Sequence, residues 1–208
     1  MADPHLTKAF RHLSRRDPDM ARARKMAGPL PDRRREPGLA TLMRIVVEQQ
    51  LSVASANAIW ARVFAAATPF TAEAFLALHP DALRACGLSR PKALYCRELA
   101  QAAATGRLDF ARLDTLDDAS ALEHLTQVKG IGRWTAEIYL LFALGRSDIW
   151  PAHDLALQAA VAHLKNLPER PSAREMDALA EPWRPHRGTA ARMLWGYYRA
   201  IKEQQKKA

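Results

Sequence analysis

The chain has 208 residues, and the 49% that are hydrophobic are enough to build a packed core. Lysine and arginine number 31 against 22 for aspartate and glutamate, so the formal net charge is +9 and a polyanion is the first partner to consider. Two cysteines, Cys86 and Cys96, exclude a disulfide framework and a four-cysteine iron–sulfur cluster. The first residues contain no signal-peptide pattern, and the longest apolar run, 138–144, is too short for a bilayer, so we expect neither a secreted nor a membrane protein.

The apolar pattern is helical along nearly the whole chain. Apolar residues recur at spacings of three and four, and no stretch alternates apolar and polar residues between turn signals, so the sequence predicts an all-α fold. Proline, glycine and capping residues divide the chain into predicted helices at about 6–15, 18–25, 39–48, 53–66, two short segments opened by Thr71 and Pro80, 89–106, 117–127, 133–144, 154–163, 172–180 and 186–202. A loop with the basic triplet 33–35 separates the second helix from the third.

A glycine-containing turn, Val128-Lys-Gly-Ile-Gly132, joins two of these helices. Gly130 and Gly132 permit positive φ angles and leave the backbone uncovered. Because a helix begins directly after the turn, its first N–H groups form a site for a phosphate, with help from the positive end of the helix dipole. Four apolar residues around the turn would pack the two helices together: Leu125, Val128, Ile131 and Ile138. The alternative is an ordinary helix–turn–helix corner with glycines for packing.

Two further segments flank this hairpin at characteristic places. Upstream lies 45–54, IVVEQQLSVA, and downstream lies 181–195, EPWRPHRGTAARMLW; Asp154, in Pro151-Ala-His-Asp154, follows Gly132 by 22 residues. In this order the segments resemble the helix-hairpin-helix (HhH-GPD) DNA glycosylase superfamily, whose hairpin is followed at this distance by an essential aspartate. The downstream segment is similar to the closing helix of the alkylated-base branch, typified by bacterial 3-methyladenine DNA glycosylase II. The resemblance covers roughly residues 40–200.

The resemblance implies a fold of two helical lobes with a DNA cleft between them. One lobe would hold about residues 1–40 with 147–208, and the other about 41–146, including the hairpin 126–134. It also implies a minimal catalytic core: a monomeric, cytoplasmic, nucleoid-associated protein of a bacterium, whose partner is double-stranded DNA containing alkylated bases. Asp154 would lie at the cleft.

One position separates the chemistries of the superfamily. Bifunctional members carry a lysine two residues after the second hairpin glycine, and that amine forms a Schiff base and cleaves the strand. This chain has Trp134 there, while Lys129 lies before the first glycine. No cysteine follows Cys96, so the iron–sulfur cluster of other branches is not expected. The resemblance therefore implies a monofunctional hydrolase with no lyase activity.

The resemblance also assigns roles within the reaction. Asp154 would stabilise the cationic sugar as the base leaves, a role that is compatible with capping the next helix. Trp134 and Trp195 would line the base pocket, since a cationic alkylated purine is attracted to an aromatic face; packing at helix crossings is their alternative role. Gln50 and Leu51 are the candidates for the wedge that fills the space left by the flipped base. Where the branch can place a pocket tyrosine, this chain has Ile138.

The backbone of the hairpin carries the remaining assignments. We predict DNA-phosphate contacts at Gly130, Ile131, Gly132 and Arg133, with the 33–35 loop as a further basic candidate. The carbonyls of Thr126, Val128 and Gly130 match the place where the superfamily holds a monovalent cation, Na⁺ or K⁺. No other cofactor is expected.

Two other functions stay open at this point. The chain could be a glycosylase of another base specificity, because pocket preference is not fully written in sequence. It could also be a non-catalytic DNA-binding module that uses the same hairpin, in which case Asp154 and the tryptophans would have no chemical role. Release of bases from alkylated DNA separates these functions.

Overall fold

The computed structural model describes residues 4–206, and this part of the chain consists of helices joined by short connections. It contains no strand, and the all-α prediction is confirmed. The helices are α1 (Pro4–Arg16), α2 (Pro18–Ala27), α3 (Leu39–Glu48), α4 (Val53–Ala66), α5 (Ala72–Ala77), α6 (Pro80–Ala85), α7 (Arg90–Ala104), α8 (Phe110–Leu113), α9 (Asp118–Thr126), α10 (Arg133–Phe142), α11 (Leu155–Leu164), α12 (Ala173–Ala180) and α13 (Arg187–Gln205), with a 3-10 turn at Glu181–Trp183. Every predicted helix is present, with ends displaced by only a few residues. Helix α8 and the 3-10 turn were not predicted, because elements this short show no periodicity.

The chain divides into two compact units. The first unit combines the described residues up to Arg33 with those from Arg146 onward, and therefore contains α1, α2 and α11–α13. The second unit is continuous, from Arg34 to Gly145, and contains α3–α10. The sequence placed the corresponding boundaries at about residues 40 and 147. Helices near both ends of the chain thus belong to the same unit.

In the first unit, α2 packs closely against α13 around Gly196. A Cβ atom at Gly196 would lie 2.8 Å from the side chain of Leu30 and 2.9 Å from that of Ala27, so only glycine fits this crossing. The fully buried Trp183 donates its indole N–H to Asp17 Oδ2 at 2.9 Å. Burial acts to raise the pKa of Asp17, but the Trp183 bond and nearby Lys165 prevail and lower it. Asp17 therefore ties α2 to the rest of the unit.

In the second unit, α10 is buried along most of its length, with α3 and α9 packed against it. Tyr139 is fully buried, and its hydroxyl oxygen accepts a hydrogen bond from Gly38 N at 2.7 Å. Burial raises the pKa of Tyr139 to about 12. This packing fixes α10 against α3 and against Gly38, the residue that precedes α3.

Both cysteines are free, buried thiols, and burial raises the pKa of Cys96 to about 12. Such a thiol is an inert core side chain at neutral pH. Among residues 4–206, no three histidine, cysteine or acidic side chains cluster so that they could hold a metal ion. In the same range, no helix combines the length and the apolar character needed to span a membrane.

Candidate active site

The hairpin between α9 and α10 has a backbone that requires glycine at its centre. Gly130 has φ 92°, and a Cβ atom there would lie 2.4 Å from the ring of Tyr95. The turn is closed by a hydrogen bond from Ile131 N to Val128 O at 3.0 Å. The apolar residues expected to pack the two helices together are all buried, as predicted: Leu125, Val128, Ile131 and Ile138.

Gly132 does not use the positive φ that glycine permits. Its φ is −81° and its ψ 167°, an extended conformation open to any residue, and a Cβ there would meet nothing within 4 Å. Gly132 is the N-cap of α10 and offers no side chain to cap it. Its physical effect is to leave the exposed start of α10 uncovered, where the first N–H groups of a helix have no intrahelical partner.

Arg133, the first residue of α10, is held by a carboxylate that the sequence reasoning missed. Its Nε donates to Glu137 Oε1 at 2.8 Å, and Glu137 is only 2% exposed. The i,i+4 spacing of the two residues was the available signal. Because the Arg133 side chain is itself about half exposed, the pair presents an oriented cation beside the hairpin.

The loop after α3 presents exposed side chains on a strained backbone. Gln50 is exposed and has φ 54°, which is uncommon for a residue other than glycine. Leu51 is 40% exposed and Val53, the first residue of α4, is 78% exposed. The two wedge candidates therefore project from the protein surface, as a side chain that enters DNA must.

Two contacts that were not predicted hold this loop in place. Lys92, on α7, donates to the carbonyls of Val47 at 2.7 Å and Gln49 at 2.6 Å, and burial lowers its pKa against the opposing effect of Cys96. Gln49 donates to Thr135 Oγ1 at 2.7 Å. The wedge loop is thereby fastened to the first turn of α10, directly beside Trp134.

Asp154 and Trp195 meet in the first unit. Asp154 is the N-cap of α11, and its Oδ1 accepts from Leu157 N at 2.9 Å and from Trp195 Nε1 at 3.1 Å. Both side chains are half-buried, whereas the neighbouring His153 is exposed and Leu155 is 64% exposed. The capping role anticipated for Asp154 is present. The bond to Trp195 was not anticipated, because it joins residues 41 positions apart.

Asp148 sets the position of the helix that carries Trp195. Its carboxylate accepts from the backbone N of Arg187 at 3.2 Å and from Arg187 Nε at 3.0 Å, and it pairs with Arg184 at 2.6 Å. Gly188 N also donates to Ser147 O at 2.9 Å. Asp148 thus anchors the first turn of α13.

The sequence-predicted residues fall into one group in each unit. The second unit brings together the hairpin, partly exposed Trp134 and the wedge loop, with Lys129 exposed inside the hairpin. The first unit joins a carboxylate to an indole. Chemically, one group offers a turn that suits a phosphate, and the other offers a fixed negative charge that suits a developing cation.

Comparison with known proteins gives one family and several relatives. A family model described as HhH-GPD superfamily base excision DNA repair protein matches residues 43–185. The chain is 35% identical over 198 residues to DNA-3-methyladenine glycosylase 1 of Schizosaccharomyces pombe, and the match covers 91% of this chain and 86% of that protein.

Two solved structures share the fold over nearly the full length. The Schizosaccharomyces pombe 3-methyladenine DNA glycosylase Mag1, in complex with abasic DNA, matches with a TM-score of 0.83 and 35% identity, covering 90% of this chain and 95% of that one. A DNA-3-methyladenine glycosidase from Bacillus halodurans matches with a TM-score of 0.81 and 29% identity, covering 97% and 92%.

Proposed function

We propose, from the premise that the chain belongs to the HhH-GPD superfamily of base excision DNA repair proteins, that it is a DNA glycosylase which excises alkylated purines such as 3-methyladenine from duplex DNA. Relatives from Schizosaccharomyces pombe and Bacillus halodurans that match most of its length are named 3-methyladenine DNA glycosylase or glycosidase, and the first was solved with abasic DNA, the product of such a reaction. The observation that carries the proposal is the Asp154 carboxylate, fixed by Leu157 N and Trp195 Nε1.

The substrate base must first leave the duplex stack. Unstacking costs a few kcal/mol, which contacts to the backbone and a filling side chain must offset. The hairpin and the uncovered start of α10 bind phosphate, with Gly130, Ile131, Gly132 and Arg133 as the contacts. Gln50 or Leu51 fills the gap in the stack, and Lys92 holds the loop that carries them.

Asp154 acts on the sugar once the base is extruded. Loss of the base leaves an oxocarbenium-like sugar, and a nearby carboxylate stabilises that charge and orients the attacking water. An alkylated purine is already a cationic leaving group and needs little help from a general acid. One carboxylate is therefore sufficient for this class of substrate.

Trp134 and Trp195 serve the extruded base. The attraction of a cation to an aromatic face amounts to about 0.5–2 kcal/mol. Stacking of a base on an aromatic side chain adds on the order of 1–3 kcal/mol. Both indoles are partly exposed, so each has surface that a ligand can contact. A cationic purine gains more from contact with an indole face than an unmodified purine does.

The reaction ends at the abasic site. Strand cleavage needs an amine that forms a Schiff base with the sugar, and this chain has Trp134 where lyase members place that lysine. Lys129 lies elsewhere in the turn and is exposed. We therefore propose hydrolysis alone, with the sugar–phosphate backbone left intact.

A monovalent cation fits the hairpin carbonyls of Thr126, Val128 and Gly130. The donor set consists of neutral oxygens, and the Val128 carbonyl accepts one hydrogen bond, from Ile131 N, so it keeps a second lone pair for a cation. Na⁺ or K⁺ bound there would supply positive charge beside a DNA phosphate. The excision step itself needs no further cofactor.

An Asp154→Asn variant tests the catalytic role. Asparagine caps a helix as well as aspartate does, so the fold is retained while the charge is lost. We expect the rate of base release from alkylated duplex DNA, measured by chromatography, to fall at least about a hundredfold. The affinity for the DNA should be unchanged or higher. His153→Ala, at the exposed neighbour, is the matched control. A wild-type rate in Asp154→Asn removes Asp154 from the mechanism.

The same reactions distinguish monofunctional hydrolysis from strand cleavage and from DNA binding without catalysis. Gel analysis should show an intact strand that breaks only after alkali or an added amine, and cleavage by the protein alone contradicts monofunctional hydrolysis. If the wild-type protein binds the duplex and releases no base from any alkylated substrate, the function is that of a DNA-binding module.

A further inference from the structure

A cavity of about 480 Å³ lies in the first unit, on one side of α1. Its lining consists of four cationic side chains and two histidines: Lys8, Arg11, His12, Arg15, Arg16 and His186. The volume is within the range of small-ligand sites. Neither the hairpin nor the Asp154–Trp195 pair contributes to it. It is a separate, strongly basic concavity.

The helical spacing of α1 produces this concentration of charge. Residues 8, 11, 12 and 15 follow the i, i+3, i+4, i+7 pattern, so they share one face of the helix. The apolar side chains at 9 and 13 lie on the other face and are buried in the core. The cationic face is therefore turned away from the core and toward the cavity.

These cations differ from others of the same unit in having no acidic partner. Lys165 pairs with Asp17 and Asp19, and Arg187 pairs with Asp148. Within residues 4–206, Lys8, Arg11, Arg15 and Arg16 form no ion pair, and no carboxylate of that range lines the cavity. Like charges held at this density repel one another, and a bound anion relieves that repulsion.

The two histidines add polar groups at the wall of the cavity. The rings of His12 and His186 lie 5.1 Å apart in an edge-to-face arrangement. His12 Nε2 is buried and has no hydrogen-bond partner among the described residues, and such a group is normally satisfied in a protein. The pKa of His186 is lowered, first by burial and then by the neighbouring His12 and Lys8, while Asp148 opposes the shift. A lowered pKa is expected for a histidine in a positive local field.

The cavity and the carboxylate–indole pair are linked by a single helix. His186 is the N-cap of α13, and Trp195 lies nine residues further along it. At 1.5 Å per residue the separation along the axis is about 14 Å. Duplex DNA rises 3.4 Å per base pair, so this distance corresponds to about four base-pair steps. A strand with its extruded nucleotide at Asp154 and Trp195 has further phosphates within this reach.

We propose that the basic cavity of α1 binds a backbone phosphate of the DNA, a few nucleotides from the one being excised. The proposal rests on DNA as the substrate and extends the binding surface of the first unit beyond the Asp154 site. The cavity grips the backbone and reads no base, since its cations and imidazoles are suited to phosphate oxygens. It sets the length of duplex that the protein requires.

The test compares two double variants that lose the same charge. Arg11→Gln with Arg15→Gln removes two cavity cations, and Lys25→Gln with Arg174→Gln removes two exposed cations elsewhere in the first unit. Affinity for a duplex with an abasic-site analogue is measured by fluorescence anisotropy across a series of salt concentrations. We expect the cavity variant to bind about tenfold more weakly, with the slope of log K against log salt reduced by about 1, as for the loss of one phosphate contact, and the control to remain near wild type.

Duplex length and the excision rate complete the design. The loss should disappear on one of two duplexes, each of which ends about two base pairs from the lesion on one side and extends about ten or more on the other, because the shortened side no longer reaches the cavity. Single-turnover excision at saturating DNA should stay at the wild-type rate. The binding measurement does not depend on excision. If the wild-type protein excised no base, the proposed glycosylase activity would be refuted, and the affinity measurements would still test the phosphate site.

Two outcomes overturn the proposal. The first is equal affinity and salt slope for the cavity variant and its control. The second is calorimetric binding of inorganic phosphate that depends on Arg11 and Arg15 while DNA affinity does not, which assigns the cavity to a free phosphate compound. Melting temperatures close to wild type for both double variants show that neither result reflects unfolding.

Discussion

The Asp154 carboxylate receives two N–H donors on a single oxygen, one from the start of its own helix and one from Trp195. Each donor restricts rotation of the side chain, so the carboxylate is oriented before substrate arrives. Preorganised charge of this kind needs no rearrangement as the transition state forms. In the proposed reaction Trp195 therefore combines two tasks, an aromatic face for the base and a donor that positions the carboxylate.

Trp195→Phe separates these two tasks, since it keeps an aromatic ring and removes the N–H. A hydrogen bond to a charged group contributes about 1.5–3 kcal/mol, so we expect kcat to fall roughly tenfold or more with a smaller change in KM. Trp150→Phe is the matched control, because it removes an indole bond to Met176 O in the same unit. It should lower the melting temperature and leave excision at saturating DNA unchanged. Equal kinetic losses in the two variants would contradict a positioning role for Trp195.

The resemblance to the superfamily singles out Asp154, Trp134 and Trp195 as candidates, and their roles in the reaction stay predictions. The side chains that position them could not be found this way. Lys92 reaches the carbonyls before the wedge loop from α7, and its importance depends on how α7 packs against α3. Contacts of this kind follow from tertiary packing, which a local pattern does not encode.

At the scale of elements, the hairpin depends on the packing of α7 as much as on its own sequence. The Tyr95 ring, on α7, occupies the space where a side chain at residue 130 would lie. Gly130 therefore meets two demands at once, a left-handed φ and a close approach. Gly132 meets neither, and its contribution is an uncovered helix start.

Gly130→Ala should distort the hairpin. The strained backbone costs on the order of 1–3 kcal/mol, and displacement of Tyr95 adds to it. We expect a lower melting temperature and weaker DNA binding. Gly106→Ala is the matched control, since Gly106 also has a left-handed φ, 72°, but open space around it. The difference between the melting temperatures of the two variants measures the destabilisation caused by displacing Tyr95. Equal melting temperatures would contradict this prediction, because they would show that the Tyr95 ring moves aside with no loss of stability.

The helices themselves were largely predictable because their signals are local. Ser52, Thr71, Asp117 and Ser172 all accept a capping bond at the start of a predicted helix. The ends are less well predicted: α10 ends at Phe142 although the apolar pattern continues to Leu144. Apolar residues beyond the end of a helix are as consistent with a buried connection as with continuation of the helix, so the apolar pattern does not fix where the helix ends.

At the scale of the whole molecule, the positive charge of the chain is distributed unevenly. Many basic side chains are committed to internal pairs, such as Arg35 with Glu48 and Arg44 with the same carboxylate. The α1 cavity and the exposed Arg133 leave cationic surface available to a polyanion. The net charge of +9 therefore does not show that the surplus positive charge is concentrated at a few places on the surface.

Binding to duplex DNA should weaken steeply with salt. If about six phosphates are contacted, affinity should fall roughly a thousandfold between 50 and 200 mM salt, because condensed counterions are released on binding. Anisotropy titrations at several salt concentrations measure the slope. Excision under single-turnover conditions at saturating DNA should change little over the same range. A flat dependence would mean that phosphate contacts contribute little to binding.

The discontinuous first unit has a consequence for how the protein is made. Helix α2 packs on α13, yet the segment of chain between them contains the whole second unit together with α11 and α12. At a synthesis rate of about 5–20 residues per second, α2 waits on the order of ten seconds before its partner leaves the ribosome. The second unit is complete long before that moment. Assembly of the first unit, and with it the Asp154–Trp195 pair, therefore waits for α13, and a nascent chain that stalls before α13 contains Asp154 without the Trp195 donor.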